Sequence, residues 1–290
     1  MPHTDTTRTT DPELPARIVM VGCGHMGFAI VRGLLGSAPD CAIVAVETSP
    51  QRREMLTEFG GIAVTDELEI APGDFVVIAV PPQVFGDFAA AQRHKFAPET
   101  PVLSVMAGLN AGTIAEALGT TQVVRSIPNT PSEVFQGMSV YYAGPAVAEN
   151  TVAQSDLLLK AIGKALRVDS EELIDDATAF CGGGPAFVSY IVDAFCQFAA
   201  DRGFTAEAGR EMAVQVFGGT ATLIAHSDKP PMQLCREVMT PNGTTERGIA
   251  AFDAAELKNS VMTALAASAQ RSRELASAMS SGAGAGAADE

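Results

Sequence analysis

The sequence predicts an α/β fold in which a parallel-sheet domain is followed by an all-helical domain. In the first part of the chain, short apolar runs alternate with segments of helical periodicity, a pattern typical of a parallel sheet with both faces covered. The first apolar run leads into a glycine-rich turn at Gly22–Gly27. From Leu173 onward only helical periodicity is left, so we expect the domain boundary near residues 168 to 173. This gives a Rossmann-like sheet domain over residues 16–169 and a helical domain over 170–277.

The composition excludes several classes of function. The 290 residues carry a formal net charge of −15, which disfavours binding to nucleic acid or to an anionic membrane because both need a basic surface. The five cysteines are scattered and form no CxxC pair, so neither disulfides nor a metal site is expected, and the thiols are predicted to be reduced in the cytoplasm. The polar segment 1–15 and the Gly/Ala/Ser-rich segment 278–290 are predicted to be disordered tails, and the first lacks the apolar core of a signal peptide.

The first strand and its turn predict a dinucleotide-binding site. Ile18–Val21 is an apolar run typical of a buried parallel strand, and Gly22–Gly27 has the GxGxxG spacing. Because helical periodicity follows, the motif has the context in which it binds a dinucleotide; a plain tight turn is the alternative. Its glycines permit close approach to the pyrophosphate, whose charge faces the helix N-terminus. The predicted cofactor contacts here are Gly22, Gly24, His25, Met26 and Gly27.

The second predicted strand, Cys41–Val46, ends at the acidic residue Glu47, 20 residues after the glycine turn. An acidic residue at this position accepts hydrogen bonds from the adenosine ribose and repels a 2′-phosphate, which favours NAD. Thr48, Ser49 and Arg52 follow at once, and their side chains would instead hold that phosphate, which favours NADP. A solvated loop with surface arginines is the third interpretation. The sequence leaves the choice of cofactor open.

The later strands place further loops beside the predicted site, because ligands of such sheets bind beyond the carboxyl ends of the strands. The predicted strands are Asp74–Val80, Pro101–Val105, Thr121–Val124, Met138–Ala143 and Ala165–Val168. Helices are predicted near Gln83–His94, Ala111–Leu118 and Ala148–Ile162. The cofactor contacts predicted from these loops are Ala79, Val80, Pro81 and Ala107.

The helical half contains an apolar stretch, Cys181–Ala200, that is long enough to cross a membrane. Polar residues recur at every fourth position from Ser189 to Asp201, however, and form a stripe along one face. We therefore expect a buried helix that begins at Pro185 and has glycine amides at its N-terminus. The helices predicted in this half are Asp175–Phe180, Pro185–Arg202, Ala206–His226, Pro231–Val238, Thr244–Phe252 and Ala255–Ala276.

A second candidate ligand site lies at Thr240–Thr245, directly before one of these helices. Threonine hydroxyls and exposed amides at the start of a helix hold an anion such as a carboxylate. A simple N-cap is the alternative, because threonine is an ordinary capping residue. The residue types alone do not separate the two interpretations.

Six segments match, in the same order, the motifs of one enzyme family. They are Gly22–Gly27, Ala79–Gln83 (Ala-Val-Lys-Pro-Gln in the family), Val124–Pro131 (Val-Arg-Ala-Met-Pro-Asn-Thr-Pro), Ala179–Phe187 (Ser-Gly-Ser-Gly-Pro-Ala-Tyr), Val238–Thr245 (Val-Thr-Ser-Pro-Gly-Gly-Thr-Thr) and Gln270–Leu275 (Arg-Ser-x-Glu-Leu). In these motifs the chain resembles the pyrroline-5-carboxylate reductase family over residues 17–276.

The resemblance implies reduction of 1-pyrroline-5-carboxylate to L-proline, the last step of proline synthesis, by hydride transfer from NADPH or NADH. It also implies a homodimer interlocked through the C-terminal helices, with assembly of dimers into a decamer as the larger form. A cyclic imine accepts hydride once its nitrogen is protonated, so catalysis would rest on orientation and needs no dedicated acid. The implied contacts are Thr245 with the ring nitrogen, Thr240, Gly243 and Thr244 with the carboxylate, Gly183 and Gly184 in the pocket wall, and Asn129 and Thr130 on the nicotinamide side.

The chain also departs from the family's motifs. Pro81 replaces a lysine, Cys181 and Gly183 replace two serines, and Asn242 replaces a glycine, while Thr240 replaces a serine but keeps the hydroxyl. With these changes the resemblance still implies the fold and the cofactor, but it leaves the exact substrate open. The alternatives are a reductase of a related cyclic imino acid, such as a piperideine or thiazoline carboxylate, and a non-catalytic dinucleotide-binding module. A hydroxy-acid dehydrogenase is disfavoured because no lysine or histidine stands at a site loop to serve as its acid.

Overall fold

The computed structural model describes residues 13–282. The tail predicted over 1–15 lies mostly outside these residues, as does most of the tail predicted over 278–290. The second prediction is wrong for 278–282, because the last helix extends to Gly282. The described chain forms two compact units. The first contains the residues up to Gly182 together with those from Ala269 onward, and the second contains Gly183–Ser268.

One eight-stranded sheet organises the first unit. Its strands are β1 (Arg17–Val21), β2 (Ala42–Val46), β3 (Ala63–Thr65), β4 (Asp74–Ile78), β5 (Val102–Ser104), β6 (Val123–Ile127), β7 (Gly137–Ala143) and β8 (Gly163–Arg167). Their order across the sheet is β3-β2-β1-β4-β5-β6-β7-β8, and every pair is parallel except β6 with β7. The predicted parallel sheet is confirmed apart from this pair, which is antiparallel because β6 and β7 are joined by a short 3-10 turn without the crossover helix that a parallel connection needs.

The helices that begin in the first unit cover both faces of this sheet. They are α1 (His25–Ser37), α2 (Pro50–Phe59), α3 (Phe85–Gln92), α4 (Ala111–Leu118), α5 (Glu149–Lys160) and α6 (Glu172–Ala177). Ile30 of α1 and Leu158 of α5 belong to one apolar layer, and Phe85 of α3 and Ile114 of α4 belong to another. The central strands between them are accordingly buried, as in β4, whose five residues are all buried.

Two elements of this unit were missed and one was cut short in the sequence prediction. Helix α2 has no counterpart among the predicted helices, because it is polar and buries only Leu56. Strand β3 has three residues and no buried one, so it gave no pattern. Strand β6 was expected to end at Val124 but continues to Ile127, which places Arg125 inside the strand.

The strand order changes direction at β1, which lies between β2 and β4. The connection after Val21 runs to β2 on one side, whereas β4, which ends at Ile78, leads on to β5 on the other side. The loops after β1 and β4 therefore run in opposite directions and leave a crevice at the carboxyl ends of these strands. Ligands of doubly wound sheets bind in this crevice.

The second unit is helical, as predicted, with bounds shifted by a few residues. Its helices are α7 (Gly184–Asp201), α8 (Ala206–Ala225), α9 (Pro231–Val238) and α10 (Thr244–Ala254), and α11 (Leu257–Gly282) begins in it. Helices α7 and α8 pack against each other, with the rings of Phe195 and Phe217 edge to face at a centroid distance of 5.1 Å.

Helix α7 is largely exposed within one chain, so the buried helix that the sequence predicts requires another chain to cover its apolar face, and that contact stays a prediction. Ala199 is its one buried residue, whereas the side chains of Tyr190 and Phe198 are 81% and 62% exposed. Among the described residues, the helical stretch Glu172–Asp201 is also long and apolar enough to cross a membrane by length and composition alone. Exposed apolar surface of this extent is typical of an interface with another protein chain or a membrane.

Candidate functional site

Close backbone contacts shape the glycine turn between β1 and α1. Gly22 has a φ of +85°, and a Cβ atom there would lie 2.9 Å from the carbonyl oxygen of Ala79. A Cβ atom on Gly27 would lie far inside van der Waals contact with the carbonyl oxygen of Gly22. Gly24, the N-cap of α1, faces open space instead. Two of the glycines are thus required for packing, and the middle one leaves the amides at the start of α1 open to a ligand.

A cavity of about 660 Å³ lies at the carboxyl ends of β1, β2, β4 and β5. Its volume and its place at the change of strand direction suit a dinucleotide. The cavity brings together eleven of the residues that the sequence assigned to the cofactor: Gly22, Gly24, His25, Met26, Glu47, Thr48, Arg52, Ala79, Val80, Pro81 and Ala107. Other residues line the cavity without having been predicted from the sequence, among them Asp66, Leu68, Val84, Phe88 and Gln92.

Four residues assigned to the cofactor do not line this cavity. Gly27 is packed beneath the glycine turn. The hydroxyl of Ser49 caps α2 by accepting a hydrogen bond from the amide of Arg52. Asn129 and Thr130 follow β6, outside the cavity.

Glu47 is a buried carboxylate at the rim of the glycine turn, 4% exposed. Its Oε2 accepts a hydrogen bond of 3.0 Å from the amide of Cys23, and its Oε1 accepts one of 2.9 Å from the amide of Ser49. The guanidinium of Arg52 lies 3.8 Å from Oε2, and this arginine side chain is 56% exposed. This wall of the cavity therefore offers both an acceptor for ribose hydroxyls and a cation for a 2′-phosphate.

The thiol of Cys23, inside the glycine turn, is buried in the apolar core. Burial, followed by the charge of Glu47, raises the pKa of the Cys23 thiol to about 12. The thiolate is the reactive form of cysteine, so this side chain is inert near neutral pH and serves packing.

We expect the protein to lose stability at alkaline pH. The Cys23 thiol ionises near pH 9 when unfolded but holds its proton to about pH 12 in the fold, so the stability it contributes is present below pH 9 and lost between these values. Tyr141, whose pKa is raised to about 12 mainly by burial, acts in the same direction above pH 10. Each group contributes on the order of 1 kcal/mol per pH unit in its window. Urea unfolding between pH 8 and 10 measures the decline, which Cys23→Ala should make shallower; an equally steep decline in that variant would contradict the assignment.

Asn129 ties together segments of the first unit. Its Oδ1 accepts a hydrogen bond of 2.9 Å from the amide of Met138, and its Nδ2 donates one of 3.2 Å to the carbonyl oxygen of Cys181. Cys181 lies in a π-helical turn, Thr178–Gly182, and its side chain is buried. Both polar atoms of the Asn129 side chain are therefore engaged in holding the loop after β6 in place.

Arg125 is a buried charge inside β6, 2% exposed. Its Nη1 lies 3.2 Å from Oε1 of Glu171, and its Nη2 lies 2.9 Å from Oδ1 of Asp175. Glu171 also accepts a hydrogen bond from the amide of Ala111 at the start of α4, and Asp175 accepts one from Ser272 of α11. The guanidinium thus connects β6 with α4, α6 and α11. The signal that could have revealed this role is a lone charge at the end of an apolar run.

The segment before α10 is a tight turn in the second unit. The amide of Gly243 donates a hydrogen bond of 2.8 Å to the carbonyl oxygen of Thr240, and Asn242 has a φ of 60°. Proline at the second position and a left-handed residue at the third are the marks of a type II turn. Asparagine tolerates this conformation better than other residues that have a side chain, so it preserves the turn where the family motif has glycine.

The start of α10 presents backbone amides that have no acceptor within the helix. Thr244 and Thr245 are its first two residues, and Gly243 is its N-cap without a side-chain hydrogen bond. The interpretation of the threonines as simple N-caps is therefore wrong. Gly183 precedes α7 with helical backbone angles, and Gly184 is the first residue of that helix. Among the described residues no group of histidine, cysteine, aspartate or glutamate side chains is arranged to hold a metal ion.

Comparison with known families and proteins identifies close similarity over nearly the whole chain. Residues 171–275 match the family described as pyrroline-5-carboxylate reductase dimerisation, and residues 17–108 match NADP oxidoreductase, coenzyme F420-dependent. The pyrroline-5-carboxylate reductase of Pseudomonas aeruginosa is 34% identical over 264 residues, which are 90% of this chain and 97% of that protein. The enzyme of the same name from Arabidopsis thaliana is 30% identical, over 89% of this chain and 95% of that protein.

Solved structures give the same result for the fold. A pyrroline-5-carboxylate reductase from Coxiella burnetii superposes with a TM-score of 0.85 at 27% identity, covering 91% of this chain and 99% of that one. The Plasmodium falciparum pyrroline carboxylate reductase with NADP bound has a TM-score of 0.76 at 22% identity, covering 89% of this chain and 99% of that one. At the latter identity the likeness concerns the fold alone.

Proposed function

The chain belongs to the pyrroline-5-carboxylate reductase family, and from that premise we propose that it reduces 1-pyrroline-5-carboxylate to L-proline with a hydride from NADPH or NADH. The observation that carries this proposal is the 34% identity to the Pseudomonas aeruginosa reductase over 90% of the chain. The cavity supports it, because its glycine turn and the residues after β2 suit a nicotinamide dinucleotide.

The residues of the first unit fit the cofactor. The open amides at the start of α1 would hold the pyrophosphate, and Glu47 together with Arg52 would face the adenosine ribose. The loops after β4 and β5 would enclose the nicotinamide end through Val80, Pro81 and Ala107. When bound, the nicotinamide supplies the hydride.

The turn before α10 is proposed to hold the substrate. The Thr240 hydroxyl and the amide of Thr244 would bind the carboxylate, and the Thr245 hydroxyl would hydrogen-bond the ring nitrogen. The expected contact of the Gly243 amide with the carboxylate is corrected, because that amide donates its hydrogen bond to the carbonyl oxygen of Thr240 and shapes the turn. The glycines Gly183 and Gly184 are proposed to form part of the pocket wall. The imine carbon receives the hydride and its nitrogen carries the proton, which the substrate brings as the iminium or takes from water. Binding and orientation are then the main contribution of the protein to catalysis.

We expect Thr245→Ala to lower kcat/KM for 1-pyrroline-5-carboxylate by about tenfold or more, as expected when roughly 1.4 kcal/mol of transition-state contact is removed. Thr245→Ser keeps the hydroxyl and should retain most of the activity. Steady-state assays of both variants, with thermal unfolding to confirm that each is folded, measure the effect. Near-normal turnover by Thr245→Ala would rule out this role of the hydroxyl.

Steady-state reduction of 1-pyrroline-5-carboxylate with NADPH and with NADH tests the proposed function directly. NADH should give the higher kcat/KM if Glu47 dominates the ribose end, and NADPH should if Thr48 and Arg52 dominate. Activity with six-membered or sulfur-containing cyclic imino acids and none with 1-pyrroline-5-carboxylate would show that the substrate is a related cyclic imine.

We propose that the chain acts as a soluble cytoplasmic homodimer joined through its C-terminal helices, with assembly of dimers into a decamer as the larger form. The family match over residues 171–275 and the exposed apolar side chains of α7 support an oligomer. The five free cysteines and the net charge of −15 agree with a soluble protein of a reducing compartment. The same proposal includes two domains. Residues 16–169 form a domain that binds the dinucleotide, and residues 170–277 form a domain that binds the substrate and mediates dimerisation.

A further inference from the structure

One wall of the cavity is a single face of α3 and the residue before it. Val84, Phe88 and Gln92 are spaced by four residues, so their side chains lie along one side of the helix, and all three line the cavity. Phe88 packs against the apolar layer that contains the buried Leu68. Together these residues form an apolar surface that ends in the primary amide of Gln92.

The amide of Gln92 has a polar atom without a partner. Its Oε1 is shielded from solvent and accepts no hydrogen bond within the described chain. Buried acceptors are nearly always paired in folded proteins, and an unpaired one is unfavourable. Gln92 lines the cavity, and the terminal torsion of glutamine is soft, so its amide can rotate to present this oxygen to a ligand there. A hydrogen-bond donor on a ligand would satisfy it there.

The position of this wall along the sheet identifies which part of a dinucleotide it would face. Glu47 follows β2 and Leu68 follows β3, on one side of β1, whereas Val105–Ala107 follow β5 on the other side. A dinucleotide places its adenosine ribose beside the acidic residue after the second strand, so the base lies beyond Glu47 toward Leu68. Lys95 donates a hydrogen bond of 2.7 Å to the carbonyl oxygen of Leu68, which holds the end of α3 at this end of the cavity.

We propose that Gln92 recognises the adenine base of the cofactor and restricts this cavity to adenine dinucleotides. This role rests on the proposed use of a nicotinamide adenine dinucleotide. Adenine has flat apolar faces, which suit Leu68 and Phe88, and its edge carries an amine donor beside ring-nitrogen acceptors. A glutamine amide matches that edge with one acceptor and one donor. At the edge formed by N6 and N7, hypoxanthine presents two acceptors in place of a donor and an acceptor, so the Gln92 amide can pair with only one of them whichever way it is turned.

Titration with the reduced cofactor and with its hypoxanthine analogue tests the role of Gln92 without relying on activity. Dissociation constants are measured from the fluorescence of the reduced nicotinamide. The wild-type chain should bind the adenine form about tenfold more tightly, as expected when one of two hydrogen bonds is lost with hypoxanthine. In Gln92→Met this preference should fall to about twofold or less, with most of the loss in affinity for the adenine form.

Two further variants serve as controls. Gln92→Glu keeps an acceptor oxygen, so it should keep the preference for adenine even though its charge weakens binding of both dinucleotides. Gln154→Met changes a glutamine of α5 that is also partly buried but does not line the cavity, and it should behave as wild type. Without cofactor, Gln92→Met should unfold at the same temperature as the wild type or higher, because it removes the unpaired oxygen.

The possible results separate the role of Gln92 from the proposed function. Equal affinity of the wild type for the two dinucleotides, or an undiminished preference in a folded Gln92→Met, would overturn the role of Gln92 and leave the reductase function standing. A wild-type chain that binds neither dinucleotide would overturn the proposed function, and the role of Gln92 with it.

Discussion

Replacing Arg125 with methionine is expected to lower the free energy of unfolding by about 3 kcal/mol. The guanidinium is 2% exposed and lies within 3.2 Å of Glu171 and 2.9 Å of Asp175. Its removal leaves both carboxylates without this counter-ion. Because their side chains are 27% and 14% exposed and keep some contact with water, we place the loss at the lower end of the range for broken buried ion pairs. The midpoint of thermal unfolding should fall by roughly 10 °C.

Arg273→Met is the matched control for this experiment. Arg273 also pairs with an aspartate of α6, Asp176, but the two side chains are 52% and 57% exposed. An exposed pair contributes less than about 1 kcal/mol, so this variant should unfold close to the wild-type temperature. Equal unfolding temperatures for Arg125→Met and Arg273→Met would show that the buried cluster does not stabilise the first unit.

Gly27→Ala is expected to weaken cofactor binding strongly, by about tenfold to a hundredfold, and to destabilise the fold by about 1–3 kcal/mol. Its new methyl group would overlap the carbonyl oxygen of Gly22, which is backbone and cannot move aside without distorting the turn. Titration with reduced cofactor and urea unfolding of the free protein measure the two effects separately.

Gly24→Ala separates ligand contact from packing in the same turn. A Cβ atom at Gly24 meets nothing within 4 Å, and its φ of −66° suits alanine. The free protein should therefore keep its stability within about 0.5 kcal/mol, while the added methyl group obstructs the close approach of the pyrophosphate. Unchanged cofactor affinity in both glycine variants would contradict the assignment of this turn to the cofactor.

The elements that the sequence predicted well are those whose ends carry local signals. Helix α4 was predicted with its observed bounds, because Asn110 caps its start through the side chain and Gly119 ends it in the left-handed conformation. Helix α9 begins at Pro231, a residue that favours the first helical position. Helix α2 has a proline start too, but its polar sequence lacks the apolar stripe on which the prediction relied.

The candidate site was predictable where consecutive residues form it. The glycine turn and Glu47 follow directly from spacing along a βαβ unit, and the cavity brings them together. Leu68, Phe88 and Gln92 were missed because they come from separate segments and meet only when β3 and α3 pack on the sheet. Phe88 in particular has the spacing of an ordinary core residue. The role of Arg125 was missed for a similar reason, since its partners lie 46 and 50 residues away.

The hydrogen bonds of Glu47 also constrain how this enzyme could be re-engineered for the other cofactor. Exchanging the acidic residue after the second strand is the obvious way to change preference between the two dinucleotides. Here that carboxylate accepts hydrogen bonds from the amides of Cys23 and Ser49, so its removal would destabilise both the glycine turn and the start of α2. Arg52 and Thr48, which line the same wall, are the better positions for a redesign that leaves the turn intact.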